Sequence, residues 1–338
     1  MEQKNSSADI SPTAGQMPRL LGLAQASKVF RNLDDLHEFN QFTNKGNEVA
    51  FGTIGDASTS EGLFWETINA AGVLQVPLVM SVWDDGYGIS VPKKYQTTKA
   101  SISQALSGME MKEGDENGYR IYKTKGWDYK DLCRTYETAV AYSRENHVPA
   151  LIHVEEVTQP QGHSTSGSHE RYKSPERLAW AQEFDCIVKF KAWIVEFGEK
   201  TGNVIATEKE LAEIQKEAKK HVREEKGKAW KEFINPIKQE LADVSAMIET
   251  MAAESANGTF LNKIKDDLAL SVDPIRKEII SAAKKAMRIV KAENLSTKQR
   301  LADWLNESKI ANHDRYSSYL YSHSAQNAMD VEEVVPEY

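Results

Sequence analysis

The sequence predicts an α/β fold, a mainly parallel sheet flanked by helices, followed by an all-helical C-terminal region. Three observations carry that expectation. From about residue 15 to 160, short apolar runs alternate with segments of helical period, the order expected of parallel strands joined by crossover helices. The first two runs are punctuated by Gly55-Asp56, Pro77 and Asp85-Gly86. Beyond about residue 175 no strand-like run occurs, and mixed-charge helical patterns take over.

Taken in order, MPRLLGLAQASKVFRNL (17–33) has the apolar spacing of a helix, and VAFGTI (49–54) reads as a strand. EGLFWETINAAGVL (61–74) is a helix, and after Pro77 the run LVMSVW (78–83) is a buried strand. An irregular segment rich in Lys, Thr and Ser follows the Asp85-Gly86 turn. YRIYKT (119–124) and ALIHVEEV (150–157) are two more strands, with a helix at 128–146 between them. Helices are expected at 176–199 and 207–234. The second opens with the capping box Thr207…Glu210, and a similar Ser296…Gln299 start is expected for a helix at 297–307. AESANGTF (253–260) marks a loop. The expected domains are thus 1–175 (α/β, incomplete at its N-terminus), 176–325 (helical) and 326–338 (a linker-like tail).

Composition narrows the function classes. The 338 residues are 40% hydrophobic and 27% charged, the profile of a globular chain with a sizeable core. A net charge of −8 gives no basic excess to neutralise phosphates, so nucleic acid is excluded as a partner. No run of about 18 apolar residues exists to cross a membrane. Residues 1–13 lack the basic-then-apolar pattern of a signal peptide. Cys133 and Cys186 form no CxxC pair and read as reduced thiols, which fits a cytoplasmic location.

The chemistry-bearing stretch is Gly55-Asp56-Ala57-Ser58-Thr59-Ser60-Glu61-Gly62, followed by Trp83-Asp84-Asp85-Gly86-Tyr87-Gly88-Ile89-Ser90. Asp56 sits where a strand gives way to a helix, and Asp84-Asp85 sit at the end of the next strand. Ligands of open parallel sheets gather at the carboxyl ends of the strands. Two oxygen ligands from neighbouring strand ends suit Mg²⁺, which also takes phosphate oxygens. An ordinary turn capped by Asp56 is the plainer alternative, and on these residues alone both remain open.

Together these strings resemble the α-subunit of the thiamine-diphosphate-dependent 2-oxo acid dehydrogenases, whose pattern runs GDG-x-x-x-EG and then NNGY-x-IS. The resemblance implies a thiamine diphosphate-binding fold. It places Asp56 and Asp85 as Mg²⁺ ligands with the Tyr87 carbonyl as a third, and Gly55, Ala57, Ser58 and Ile89 as further cofactor contacts. Two departures stand out: Ala57 replaces a glycine, which requires a negative φ there, and Asp84-Asp85 replaces Asn-Asn, adding negative charge beside a diphosphate. Gln161-Gly162-His163-Ser164-Thr165-Ser166 is similar to the family's entrance loop, making His163 a phosphate contact and the candidate catalytic residue. Gln159 stands where relatives often carry Arg. His169 reads as a solvated loop histidine. Ser164 and Ser166 align with a loop that is phosphorylated in some relatives. Ser11-Pro12-Thr13-Ala14-Gly15-Gln16 resembles the segment under the thiazolium ring. Thr13 takes the under-ring position, and Ser11 and Gln16 are candidate ligands for K⁺; a plain Ser-Pro turn explains the segment nearly as well.

The resemblance covers roughly 8–235 and is nearest to bacterial enzymes with fused α and β parts. It implies oxidative decarboxylation of a 2-oxo acid, branched-chain first and pyruvate second, with transfer of the acyl group to lipoyl. The implied partners are a β-subunit or β region and a lipoyl-bearing transacylase. Other thiamine diphosphate enzymes of acetoin or transketolase type, or a non-catalytic fragment, are the rival readings. The chain is expected to start inside the α region and stop before the β region. The family's cofactor-activating glutamate has no counterpart here, so the isolated chain is expected to be inactive.

Overall fold

The computed structural model describes residues 12–159, 162–163 and 169–316. They divide into two compact units, on either side of Ala212 and Glu213.

In the first unit four strands form one parallel sheet: β1 (Ala50–Gly55), β2 (Leu78–Trp83), β5 (Arg120–Lys125) and β6 (Ala150–Glu155), in the order β1-β2-β6-β5. A short antiparallel hairpin, β3 (Tyr87–Gly88) and β4 (Val91–Pro92), stands apart within the segment read as irregular. The two central strands are the most apolar, as expected where both faces are covered. Side chains alternate between two cores. Leu78, Met80, Val82 and Leu151 pack with α1 (Met17–Asn32) and α2 (Gly62–Leu74) through Leu20, Ala24, Phe64 and Ile68. Val79, Ala150, Ile152 and Val154 face Ala139 of α4 (Tyr129–Asn146). Helix α1 lies close on β1 because Gly52 has no side chain; a Cβ there would meet Leu20 Cδ2 at 2.4 Å.

Strand and helix limits in this unit fall within a residue or two of those the sequence predicts. The last strand stops at Glu155 rather than 157 because Glu156 turns to φ +60°. The helix expected at 176–199 is two helices, α5 (Pro175–Glu183) and α6 (Cys186–Thr201). Asp185 divides them by accepting hydrogen bonds from the Ile187 and Val188 amides, an N-cap that starts a new helix. Trp127 and Tyr129, before and at the start of α4, set their rings at a tilt against Phe184, between the two helices, and Phe190 of α6.

The second unit is helical. Helix α7 runs from Glu208 to Glu254, well past the expected end at 234, with Pro236 inside it. The hydrogen bond that Pro236 removes is outweighed by burial of Ile234 and Ile237 on either side. The Thr207 box forms, with the Glu210 amide donating to Thr207 Oγ1 and the Thr207 amide to Glu210 Oε2. After a break at 255–257 come α8 (Gly258–Ala269), α9 (Arg276–Ile289) and α10 (Lys298–Arg315). The expected Ser296 box does not form; Ser296 gives both its amide and its hydroxyl to the Glu254 carboxylate. Ile248, Met251, Leu261, Ile279 and Leu301 are the fully buried centre of this unit.

Candidate metal and phosphate site

Strand register builds the site. Gly55 of β1 pairs with Trp83 of β2, so the next residues, Asp56 and Asp84, emerge side by side at the carboxyl edge of the sheet. Both amides continue the ladder: Asp56 N–H donates to the Trp83 carbonyl at 3.0 Å and Asp84 N–H to the Val154 carbonyl at 2.9 Å. Three carboxylates therefore gather where the strands end, all of them buried: Asp56 at 6% exposure, Asp84 at 2% and Asp85 at 8%.

Their environments differ. Asp56 has one oxygen, Oδ2, that is buried without any hydrogen-bond partner. Burial first, then the nearby charges of Asp84 and Asp85, push its carboxyl up to about 7. Burial also raises Asp85, while its Oδ1 accepts from the Tyr87 amide at 3.1 Å. For Asp84 burial works in the same direction but is overcome. Its Oδ2 accepts from Lys93 Nζ at 2.6 Å and from His153 Nε2 at 2.9 Å, and these bonds hold it below the usual carboxylate range. His153 Nδ1 is hydrogen-bonded in turn to the Ser103 hydroxyl at 2.8 Å, deep in the core. Lys93 also ties the β3–β4 hairpin back, since its amide donates to the Gly86 carbonyl.

Asp84 is paired with Lys93 and hydrogen-bonded by His153 through one oxygen, yet its charge still raises both the Asp56 and the Asp85 carboxyls. Sequence reasoning singled out neither Lys93 nor His153, nor Lys173 and Arg177. Arg177 donates to the Asp85 carbonyl at 3.1 Å, and Lys173 lies over the Tyr87 ring. One signal was legible: His153 interrupts an otherwise apolar buried strand, and a polar group there requires partners.

The remaining candidates fall as follows. Gly55, Ala57 and Ser58 form the β1 end and the single 3-10 turn after Asp56. Ala57 lies outside the positive-φ residues, as its substitution for glycine requires. Tyr87 lies in the hairpin with its ring against Tyr172, centroids 5.6 Å apart. Ile89 is 56% exposed and held at φ +57°, a costly conformation for a β-branched residue. His163 is exposed and within electrostatic reach of Asp85. His169 opens a short 3-10 turn, 3.6 Å from Glu170. Thr13 is exposed in the turn preceding α1, and Gln16 is half-buried at its start. Ser11, Ser164 and Ser166 lie outside the described residues.

Residues 2–238 match the model of the dehydrogenase E1 component family. The chain belongs to that family. Among its relatives, the pyruvate dehydrogenase E1 component subunit alpha of Rickettsia bellii is 25% identical over 186 residues, covering 55% of this chain and 52% of the relative. The 2-oxoisovalerate dehydrogenase subunit alpha of Bacillus subtilis is 25% identical over 188 residues, 56% of this chain and 50% of the relative. The 3-methyl-2-oxobutanoate dehydrogenase subunit alpha of Mycobacterium tuberculosis is 32% identical over 154 residues, 44% and 38% of the two chains. The chain spans about half the length of the curated relatives it matches. Membership of the E1 family implies dependence on thiamine diphosphate.

This chain's residues fit such a group. The unpartnered Asp56 Oδ2 and the buried Asp85 carboxylate are hard oxygen donors at adjacent strand ends. Among the described residues no group of three or more His, Cys, Asp or Glu side chains is placed to hold a metal ion by itself. Among those residues no helix is long and apolar enough to cross a membrane.

Proposed function

We propose that this chain is the α-like portion of the decarboxylating component of a 2-oxo acid dehydrogenase complex, with Asp56, Asp85 and the Tyr87 carbonyl holding Mg²⁺ for the cofactor's diphosphate. The observation that carries the reading is the pair of buried carboxylates at successive strand ends, one with a free inward oxygen. When bound, thiamine diphosphate supplies the electron sink for loss of CO₂ from a 2-oxo acid. The chain's own residues anchor and orient it. Gly55, Ala57 and Ser58 let the backbone approach the diphosphate, Ile89 and Thr13 border the ring portion, and His163 contacts phosphate and shapes the entrance. Lys93 pairs with Asp84 and His153 hydrogen-bonds it, which leaves Asp56 and Asp85 to face the metal. A K⁺ near Gln16 belongs to the same reading.

The proposed substrate is a branched-chain 2-oxo acid; relatives named for pyruvate and for 2-oxoisovalerate make pyruvate the alternative. The proposed partners are a β part, which contributes the activating glutamate, and a lipoyl-bearing transacylase. A cytoplasmic location is proposed with them. The test combines the chain with a β part and measures 2-oxo acid-dependent reduction of an artificial electron acceptor, with saturating cofactor and Mg²⁺. Turnover on 3-methyl-2-oxobutanoate above pyruvate is expected, abolished by Asp56→Ala and absent without the β part. Undiminished activity of Asp56→Ala would overturn the metal assignment, and a preference for pyruvate would overturn the branched-chain one.

A further inference from the structure

One cation at this site stands beside aromatic rings rather than a carboxylate. Lys173 is a buried residue, with only 6% of its surface exposed, yet its ammonium makes no ion pair and no hydrogen bond among the described residues. Its neighbours are the faces of Tyr87, 5.0 Å away, and Tyr172, 5.8 Å away. The charges within reach are Asp85 and Arg177. An ammonium carries three donors, and enclosing its side chain costs solvation that an oxygen acceptor would return. Aromatic faces recover part of that cost and leave the ammonium able to donate to an oxygen acceptor.

The other cations here are already engaged. Lys93 is bonded to Asp84, and Arg177 is stacked on Trp180 at 4.0 Å with one nitrogen on the Asp85 carbonyl. With Asp84 paired with Lys93, Asp56 and Asp85 stand against Lys173 and Arg177. A divalent cation matches the two carboxylates, and a diphosphate then meets the two cations. The Mg²⁺–diphosphate pair thus enters with its charges balanced locally on both sides. Tyr87 links the two halves, because its carbonyl belongs to the proposed metal shell while its ring supports the lysine.

We infer that Lys173 is a further phosphate-binding residue, donating to a non-bridging oxygen of the diphosphate held beside Asp85; this rests on the reading of Asp56 and Asp85 given above. Lys173 follows the His163 loop in sequence, so the two would grip the diphosphate from one side of the site.

The test is titration calorimetry on the chain combined with its β part, using Mg²⁺ with inorganic pyrophosphate and, separately, thiamine, which lacks phosphate. Lys173→Met should weaken Mg²⁺–pyrophosphate binding about 10- to 100-fold, the range for losing a hydrogen bond to a charged group. Lys173→Arg should recover affinity to within about threefold, because a guanidinium also pairs with phosphate. Thiamine binding should be unchanged in both. Lys173→Gln, which keeps length and polarity, supplies the same reading if the methionine variant folds poorly by its urea midpoint. Unchanged pyrophosphate affinity in Lys173→Met or Lys173→Gln, with Asp56→Ala abolishing it, would overturn the role of Lys173 and leave the metal site standing. Unchanged affinity in Asp56→Ala as well would overturn both.

Discussion

Replacing Asp56 by Asn should make the ligand-free protein more stable while destroying its metal site. The folded protein holds a proton on Asp56 up to about pH 7, whereas an ordinary Asp loses it near 3.8. Between those values the folded state binds more protons than the unfolded chain, so stability falls as pH rises through that window. The distance from 3.8 to about 7, at about 1.4 kcal/mol per pH unit, bounds the cost of the ionised carboxylate at about 4 kcal/mol above pH 7. Asn keeps the shape, and its amide can donate toward the neighbouring carboxylates. Asp56→Asn should therefore gain about 2–4 kcal/mol at pH 8 and less than half of that at pH 5. At a urea slope of about 2–3 kcal/mol/M, the midpoint should rise by about 1 M at pH 8. The assay is urea unfolding at the two pH values, free of Mg²⁺ and then with Mg²⁺ and thiamine diphosphate. Ligand at about 100 times its Kd adds about 2.7 kcal/mol to the parent and nothing to the variant, narrowing or reversing the order. An equal gain at both pH values, or a loss at pH 8, would refute the reasoning, because neither follows from a buried proton on Asp56.

Two further perturbations test the supports of the site. Lys93→Met strips Asp84 of its cation and should cost about 2 kcal/mol, below the full buried-pair range because the Lys93 side chain is 33% exposed. Adding Asp84→Asn should restore most of that loss, giving a coupling of about 1–2 kcal/mol in a double-mutant cycle by urea unfolding; strictly additive effects would show that the pair does not interact. Ile89→Gly should raise ligand-free stability by about 1 kcal/mol, since glycine occupies φ +57° without the penalty of a β-branched side chain. The same change should weaken thiamine diphosphate binding by calorimetry, and a loss of stability would mean that Ile89 is held by packing rather than by strain.

How much of this was legible in the sequence follows from how local each feature is. The strands and the helices around them repeat every two or every 3.6 residues, so their limits came out within a residue or two. Asp56 and Asp85 were legible for the same reason, since a strand end followed by a turn is a local pattern. Helix ends set by a single side chain were harder. Asp185 splits a helix that apolar spacing alone reads as continuous, and Ser296 abandons its own box for Glu254, 42 residues away. The helix expected at 207–234 runs on through Pro236, with Ile234 and Ile237 buried on either side of it.

By itself the sequence determined an α/β unit with acidic strand ends, a turn at Gly55-Asp56 after the first strand and a helical continuation. Local periodicity and turn chemistry specify these without reference to distant residues. Tertiary structure alone decided which charges the site presents. Asp84 meets His153 from 69 residues away and His153 meets Ser103 from 50, while Lys173 comes to Tyr87 from a segment beyond the last strand. A carboxylate's charge state depends on its burial and on what stands within a few ångströms of it. Those neighbours are set by how β2, β6 and α3 (Ile102–Ala105) pack together, which no local pattern records.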